Sequence, residues 1–106
     1  MKEVQNQKAF HLSFSQALDA IKKGYSVSRD KWKEKEFLYM GKGSVPNDIN
    51  DIYYRYDMDF YVIGDDGTTV RLPNLIYINS DNCTVNGWSP SQEDMFIHDW
   101  YILPNF

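Results

Sequence analysis

Asn86-Gly87-Trp88-Ser89-Pro90-Ser91-Gln92-Glu93-Asp94-Met95-Phe96-Ile97-His98-Asp99-Trp100 is the stretch on which the reading of this chain turns. It reads as a strand end, a capped helix start, a short helix and the entry to a last strand. Ser89 suits the N-cap, where its hydroxyl accepts an orphan backbone N–H of the first turn. Pro90 then falls at the first helical position, where its missing N–H costs nothing. Gln92, three residues after Ser89, completes a capping box. A second register takes Ser91 as the cap with Asp94 as its reciprocal acid. In either, Glu93 and Asp94 place negative charge near the positive helix end. Trp88 and Trp100 bracket the segment and pin both ends to apolar surface. Trp100 and Met95 are assigned to holding the fold.

Working outward, Trp100–Leu103 reads as the last strand, closed by Pro104. Upstream, Leu75–Ile78 and Cys83–Val85 form a hairpin turning at Ser80-Asp81-Asn82. Phe60–Ile63 is a strand, followed by the turn Gly64-Asp65-Asp66-Gly67. Thr68–Leu72 could return as its hairpin partner. Residues 41–57 are the least regular part, with tyrosines among polar residues, and a loop of that length in a small domain is usually functional or mobile. Phe37–Met40 and Tyr25–Ser28 read as strands separated by the charged turn Lys33-Glu34-Lys35-Glu36. Ser13 and Gln16 form another capping box. Phe14, Ala17, Leu18 and Ile21 then follow at i, i+3, i+4 and i+7, one buried helix face, and Gly24 is the natural stop. The predicted class is α+β: an N-terminal helix packed on a mainly antiparallel sheet, with a short C-terminal helix before the last strand. Residues 1–10 read as a flexible tail and 11–106 as a single domain.

The 106 residues carry a formal charge of −4 and no basic stripe, which argues against DNA or RNA as a partner. No run approaches the ~18–20 apolar residues of a membrane span. The polar N-terminus, Met1 to Lys8, is not a signal peptide. The lone Cys83 cannot form an intrachain disulfide and fits a reducing compartment. A cytoplasmic protein of a bacterial host cell, bacterial or viral in origin, is the expectation. Aromatics make up 16 %, with eight tyrosines and three tryptophans, residues favoured at half-buried sites and interfaces.

No metal site is expected, since His11, His98 and Cys83 lack ligand spacing. Asp48-Ile49-Asn50-Asp51 lacks the later ligands of a calcium loop. Nothing in the chain marks an enzyme or a cofactor. It has no Gly-rich phosphate loop and no nucleophile elbow. His98 and Asp99 are neighbours that would point about 100° apart on a helix. Arg29 and Trp32 offer a guanidinium for phosphate and a ring for a base. Residue types alone lean the other way, to Trp32 in the core and Arg29 paired with an acid. The Ser89–Gln92 helix start offers N–H donors to an anion, although capping already uses them.

The order of signals resembles the phage Thoeris anti-defence family of the second type. It is carried by Phe14-Ser15-Gln16-Ala17-Leu18, Lys22-Lys23-Gly24, Val27-Ser28-Arg29 with Trp32, Phe37-Leu38-Tyr39 and Leu72-Pro73. The most specific part is Gly87-Trp88-Ser89-Pro90-Ser91-Gln92-Glu93-Asp94-Met95 with Asp99-Trp100. The match spans about residues 14 to 103. The resemblance implies a non-enzymatic sponge that sequesters a cyclic ADP-ribose-type signal, or a cyclic dinucleotide, in pockets between subunits of a homo-oligomer, tetramer or dimer. It implies a ligand set of Trp32 as stacking ring, Arg29 and Phe37 nearby, and the corner Trp88, Ser89, Ser91, Gln92 and Asp94 as polar wall. One departure bears on the pocket rim: the family's Asn-Gly-Lys-like turn is replaced by Lys33-Glu34-Lys35-Glu36. The alternative is a protein-interaction module of phage or prophage origin, contacting its partner through Tyr53, Tyr54 and Tyr56.

Overall fold

The computed structural model describes residues 10–33, 35–46, 59–65 and 71–104. The expected N-terminal tail (but for Phe10), the tyrosine-rich loop with Tyr53, Tyr54 and Tyr56, and most of the return strand Thr68–Leu72 lie outside them. The chain divides into two compact units, residues 41–74 and the remainder.

The larger unit opens with helix α1, Phe14–Lys22. Ser13 accepts the Gln16 N–H at 3.2 Å and Gln16 returns a hydrogen bond to the Ser13 N–H at 2.9 Å, the expected capping box. At the far end Gly24 adopts φ +97°. The Tyr25 N–H reaches the Ala20 carbonyl and the Gly24 N–H that of Ile21, so the helix stops in a Schellman turn. Ala17, Ala20 and Ile21 are the buried face, with Phe14 and Leu18 half-buried.

Strands β1 (Val27–Arg29), β2 (Phe37–Gly41), β5 (Asn74–Ile78), β6 (Thr84–Asn86) and β7 (Trp100–Ile102) form one sheet in the order β6-β5-β2-β1-β7. The β1–β2, β1–β7 and β5–β6 pairs are antiparallel. A short helix α2, Gln92–Phe96, precedes β7. The predicted α+β architecture is present. Register decides what reaches the core. Val27 lies opposite both Leu38 and Ile102, and Arg29 opposite Trp100. Directly paired residues share a face, so Val27, Leu38, Trp100, Ile102 and Arg29 all project toward one side. Val27, Leu38 and Trp100 are fully buried there and pack with Leu12, Ala17, Ala20 and Ile21. Trp100 holds the fold as expected. Met95 does not: it is exposed and is not among the side chains packed on that cluster.

The smaller unit differs from the sequence reading. Its supposedly irregular start contains β3, Gly43–Pro46, which pairs in parallel with β4, Tyr61–Asp65. Ser44 also bridges Arg71. Gly43 makes this possible: a Cβ there would lie 2.2 Å from the Arg71 carbonyl oxygen and 2.8 Å from the Tyr61 ring. A parallel partner contributed from about twenty residues away leaves no hairpin signal to read.

Candidate functional site

Arg29 is the centre of the site, and its charge is spent inside the protein. Its side chain is 2 % exposed. Nε and Nη2 donate to the two Asp99 oxygens at 2.8 and 3.1 Å, a bidentate pair. Nη1 donates to Asp94 Oδ1 at 2.6 Å and to Glu93 Oε1 at 3.2 Å. The cause is register: Arg29 faces Trp100, and the Asp30 N–H donates to the Asp99 carbonyl, which sets Asp99 beside the guanidinium. Asp99 above all raises the Arg29 pKa; burial opposes it, and Asp94 and Glu93 add to the rise. Burial pushes the Asp94 carboxyl up, but the Ser91 N–H, the Arg29 guanidinium and the Ser91 hydroxyl together hold it below its ordinary value. Glu93 is lowered by Lys31 first and by Arg29 next.

Asp94 joins this network to the helix start. Its Oδ2 accepts the Ser91 N–H at 2.8 Å and the Ser91 hydroxyl at 2.9 Å, while the Asp94 N–H donates back to Ser91 at 3.1 Å. The expected cap at Ser89 with Gln92 as partner is therefore corrected: Ser91 caps, Asp94 completes the box and the helix begins at Gln92. The ion pair sets this choice. Only with Asp94 as the third helical residue can one carboxylate close the box and meet Arg29. The Trp100 indole N–H also donates to the Asp94 carbonyl at 2.9 Å. Ser89, Ser91 and Gln92 are exposed on the corner so fastened.

Beside it stands a cluster of rings. Trp32 is half-buried, 5.3 Å from Tyr77, 5.9 Å from Trp88 and 5.3 Å from Trp100, with interplanar angles of 77–81°. Tyr77 and Trp88 lie nearly parallel at 6.3 Å. The Arg29 guanidinium sits 6.0 Å from the Trp100 ring, so Trp100 links the ionic network to the rings. Burial, then the Glu36 carboxylate, raises the Tyr77 phenol. Arg29, Trp32, Trp88 and Asp94 are thus brought together through Trp100. Phe37 is placed elsewhere. Its ring neighbours Tyr39 at 6.1 Å and lines a cleft of about 470 Å³ with Lys35 and the turn Asn79–Asn82. A second hollow of about 250 Å³ beside α1, with Gln16, Lys23 and Tyr25 in its wall, holds none of the predicted residues.

Sequence reasoning missed Asp99, Glu93 and Lys31 as partners of the corner, and Tyr77 as a member of the ring cluster. The contacts Arg29–Asp99, Arg29–Glu93, Lys31–Glu93 and Trp32–Tyr77 cross 45 to 70 positions, and no local pattern encodes such pairs. The sole available signal was the Asp99-Trp100 step at the strand entry. Among the described residues no group of three or more His, Cys, Asp or Glu could hold a metal ion. Nor is any described helix long and apolar enough to cross a membrane.

A family model described as the Thoeris anti-defense 2-like domain matches residues 12–103, nearly the whole chain. The chain belongs to the Thoeris anti-defense 2-like family. It is 29 % identical over 94 residues to a protein named Thoeris anti-defense 2 from Bacillus phage SP01, covering 87 % of this chain and 94 % of that one. Membership in the Thoeris anti-defense 2-like family supports an anti-defence role. The most specific part of the resemblance, Gly87 to Met95 with Asp99-Trp100, is also the part that the Arg29 network fastens.

Proposed function

We propose that the protein is a non-enzymatic sponge. It binds a cyclic ADP-ribose-type signal, or a cyclic dinucleotide, and keeps it from its effector in the cytoplasm of a bacterial host. The observation that carries this reading is Trp32, a half-buried ring held near right angles to three others. A ring fixed in this way loses little freedom on binding, and preorganisation of that kind favours affinity. Stacking one base on it is worth about 1–3 kcal/mol. Trp88, Ser89, Ser91 and Gln92 provide the polar wall beside it, with Phe37 on a more distant part of the surface. Arg29 and Asp94 act by positioning. Their charges are answered internally, so they hold the corner in place and leave phosphate to other donors. The protein acts as a homo-oligomer, tetramer or dimer, with the pocket completed by a neighbouring copy.

Calorimetry against a panel of cyclic ADP-ribose isomers and cyclic dinucleotides tests this. Heat with at least one member is expected at protein concentrations near 100 µM, generous for roughly micromolar affinity. Trp32→Ala should abolish it while circular dichroism shows a folded chain. Silence across the panel sinks the reading, and a strictly monomeric mass in solution contradicts the shared pocket.

A second reading, a protein-interaction module, draws on the exposed run Met95-Phe96-Ile97 at the end of α2, where Phe96 is 75 % exposed. Large exposed apolar side chains in a row suit a partner. Capture of one host protein that Phe96→Ser abolishes, in the absence of nucleotide, would favour it.

A further inference from the structure

The cleft that holds Phe37 has a composition unlike the Arg29 corner. Its wall is made by Lys35, Phe37, Asn79, Ser80, Asp81 and Asn82. About 470 Å³ is within the ordinary range of small-molecule sites. Lys31 is taken up by Glu93 and Arg29 by three carboxylates. Lys35, by contrast, is an exposed cation that enters none of the ion pairs between described residues. The opposite wall is already folded. Asn79 Oδ1 accepts the Asp81 and Cys83 N–H groups, both at 2.9 Å, and the Asn82 N–H donates to the Asn79 carbonyl. That closes the turn through Asn79 alone. The side chains of Ser80, Asp81 and Asn82 have no hydrogen-bond partners among the described residues, so their capacity is unspent.

The charges select the ligand class. One lysine against one carboxylate gives no excess positive field, so a bare polyanion gains little here. A molecule that combines a phosphate, hydroxyls and a flat ring uses every group. Phosphate meets the ammonium, vicinal hydroxyls donate to a carboxylate as ribose does in dinucleotide sites, and the ring lies on an aromatic face. We propose that this cleft is a mononucleotide-type site in its own right, with phosphate at Lys35, sugar hydroxyls on Asp81 and Asn82, and the base on Phe37. The inference shares its ligand class and Phe37 with the sponge reading, but Trp32, Trp88 and the α2 corner take no part.

Nuclear magnetic resonance titration of the isotopically labelled chain tests it, with adenosine 5′-monophosphate, adenosine and inorganic phosphate as probes. The monophosphate is expected to shift the amides of residues 35, 37 and 79–82, with adenosine and phosphate each weaker. Lys35→Glu should weaken the monophosphate about tenfold, the scale of losing one charge-assisted contact, and Trp32→Ala should leave it unchanged. Phe37→Leu keeps β2 apolar while removing the ring, and should weaken adenosine and the monophosphate alike. Shifts confined to Trp32 and Trp88, equal affinity in Lys35→Glu, or no shifts at all would overturn the cleft. The first two outcomes leave the sponge reading intact. A silent panel of cyclic signals beside a responsive cleft would remove the sponge reading alone.

Discussion

The two helices of this protein begin on the same local motif and are used in opposite ways. α1 starts at Ser13 with Gln16, α2 at Ser91 with Asp94, each a reciprocal capping box. The first box is exposed, and its hydrogen bonds stay within the first turn of its own helix. In the second, the reciprocal side chain is an acid, 6 % exposed, that also meets a buried guanidinium from 65 positions away. α1 therefore owes its place to an apolar stripe, Ala17, Ala20 and Ile21, and its cap adds a local increment. α2 has five residues, too few to be stable alone. It is held by Arg29 and by the Trp100 indole. A strong local motif shows where a helix starts; what that start is for depends on partners that local sequence does not display.

Removing the hub should separate the two most sharply. Arg29→Ala leaves Asp94 and Asp99 facing a buried void. A loss of about 3–5 kcal/mol in urea unfolding is expected, the range for breaking a buried pair from one side. Arg29→Lys, which cannot reproduce the bidentate fork, should recover only part of it. A loss below 1 kcal/mol in Arg29→Ala would mean the network is ornamental. Ser91→Ala removes the cap and one donor to Asp94, and should cost roughly 1–2 kcal/mol. The corner's amide protection should fall with it. Ser13→Ala should be milder, about 0.5–1 kcal/mol, with α2 protection untouched. Equal effects of the two serines would erase the distinction between the helices.

The smallest difference lies in pH. Gln16 does not titrate, whereas Asp94 does, with a folded-state value below its ordinary one. A depressed carboxyl contributes stability that is complete above its unfolded value, near 3.9, and lost as pH falls through the folded value. The α2 corner should loosen first in acid, below about pH 4, while α1 keeps its cap. Asp94→Asn should flatten that limb. An unchanged acid limb in Asp94→Asn would assign it to other groups.

Much of the larger unit was legible because its signals are local: the 3.6-residue stripe of α1, Gly24 as its stop, and the hairpin around Asp81. The register of α2 was not, because Ser89 and Ser91 both make good caps and a long-range ion pair chooses between them. β3 was missed since its partner is parallel and distant. For the candidate site, residue types drew attention to Arg29 and Trp32. Their fates differ: the saturation of Arg29 by carboxylates follows from the β1–β7 register, whereas Trp32 is held by rings of β5, of the turn before α2 and of β7. That register depends on which residues of two remote strands face each other, and no single stretch of sequence contains it.

The central claim is sequestration without chemistry, and recovery of the ligand tests it most directly. A cyclic ADP-ribose-type signal is mixed with excess protein, filtered to separate free from bound, and the retained fraction is heated and analysed by mass. The account predicts a filtrate depleted of signal and release of the unaltered molecule on heating. A signal that stays in the filtrate, or one that returns with a changed mass, would contradict it.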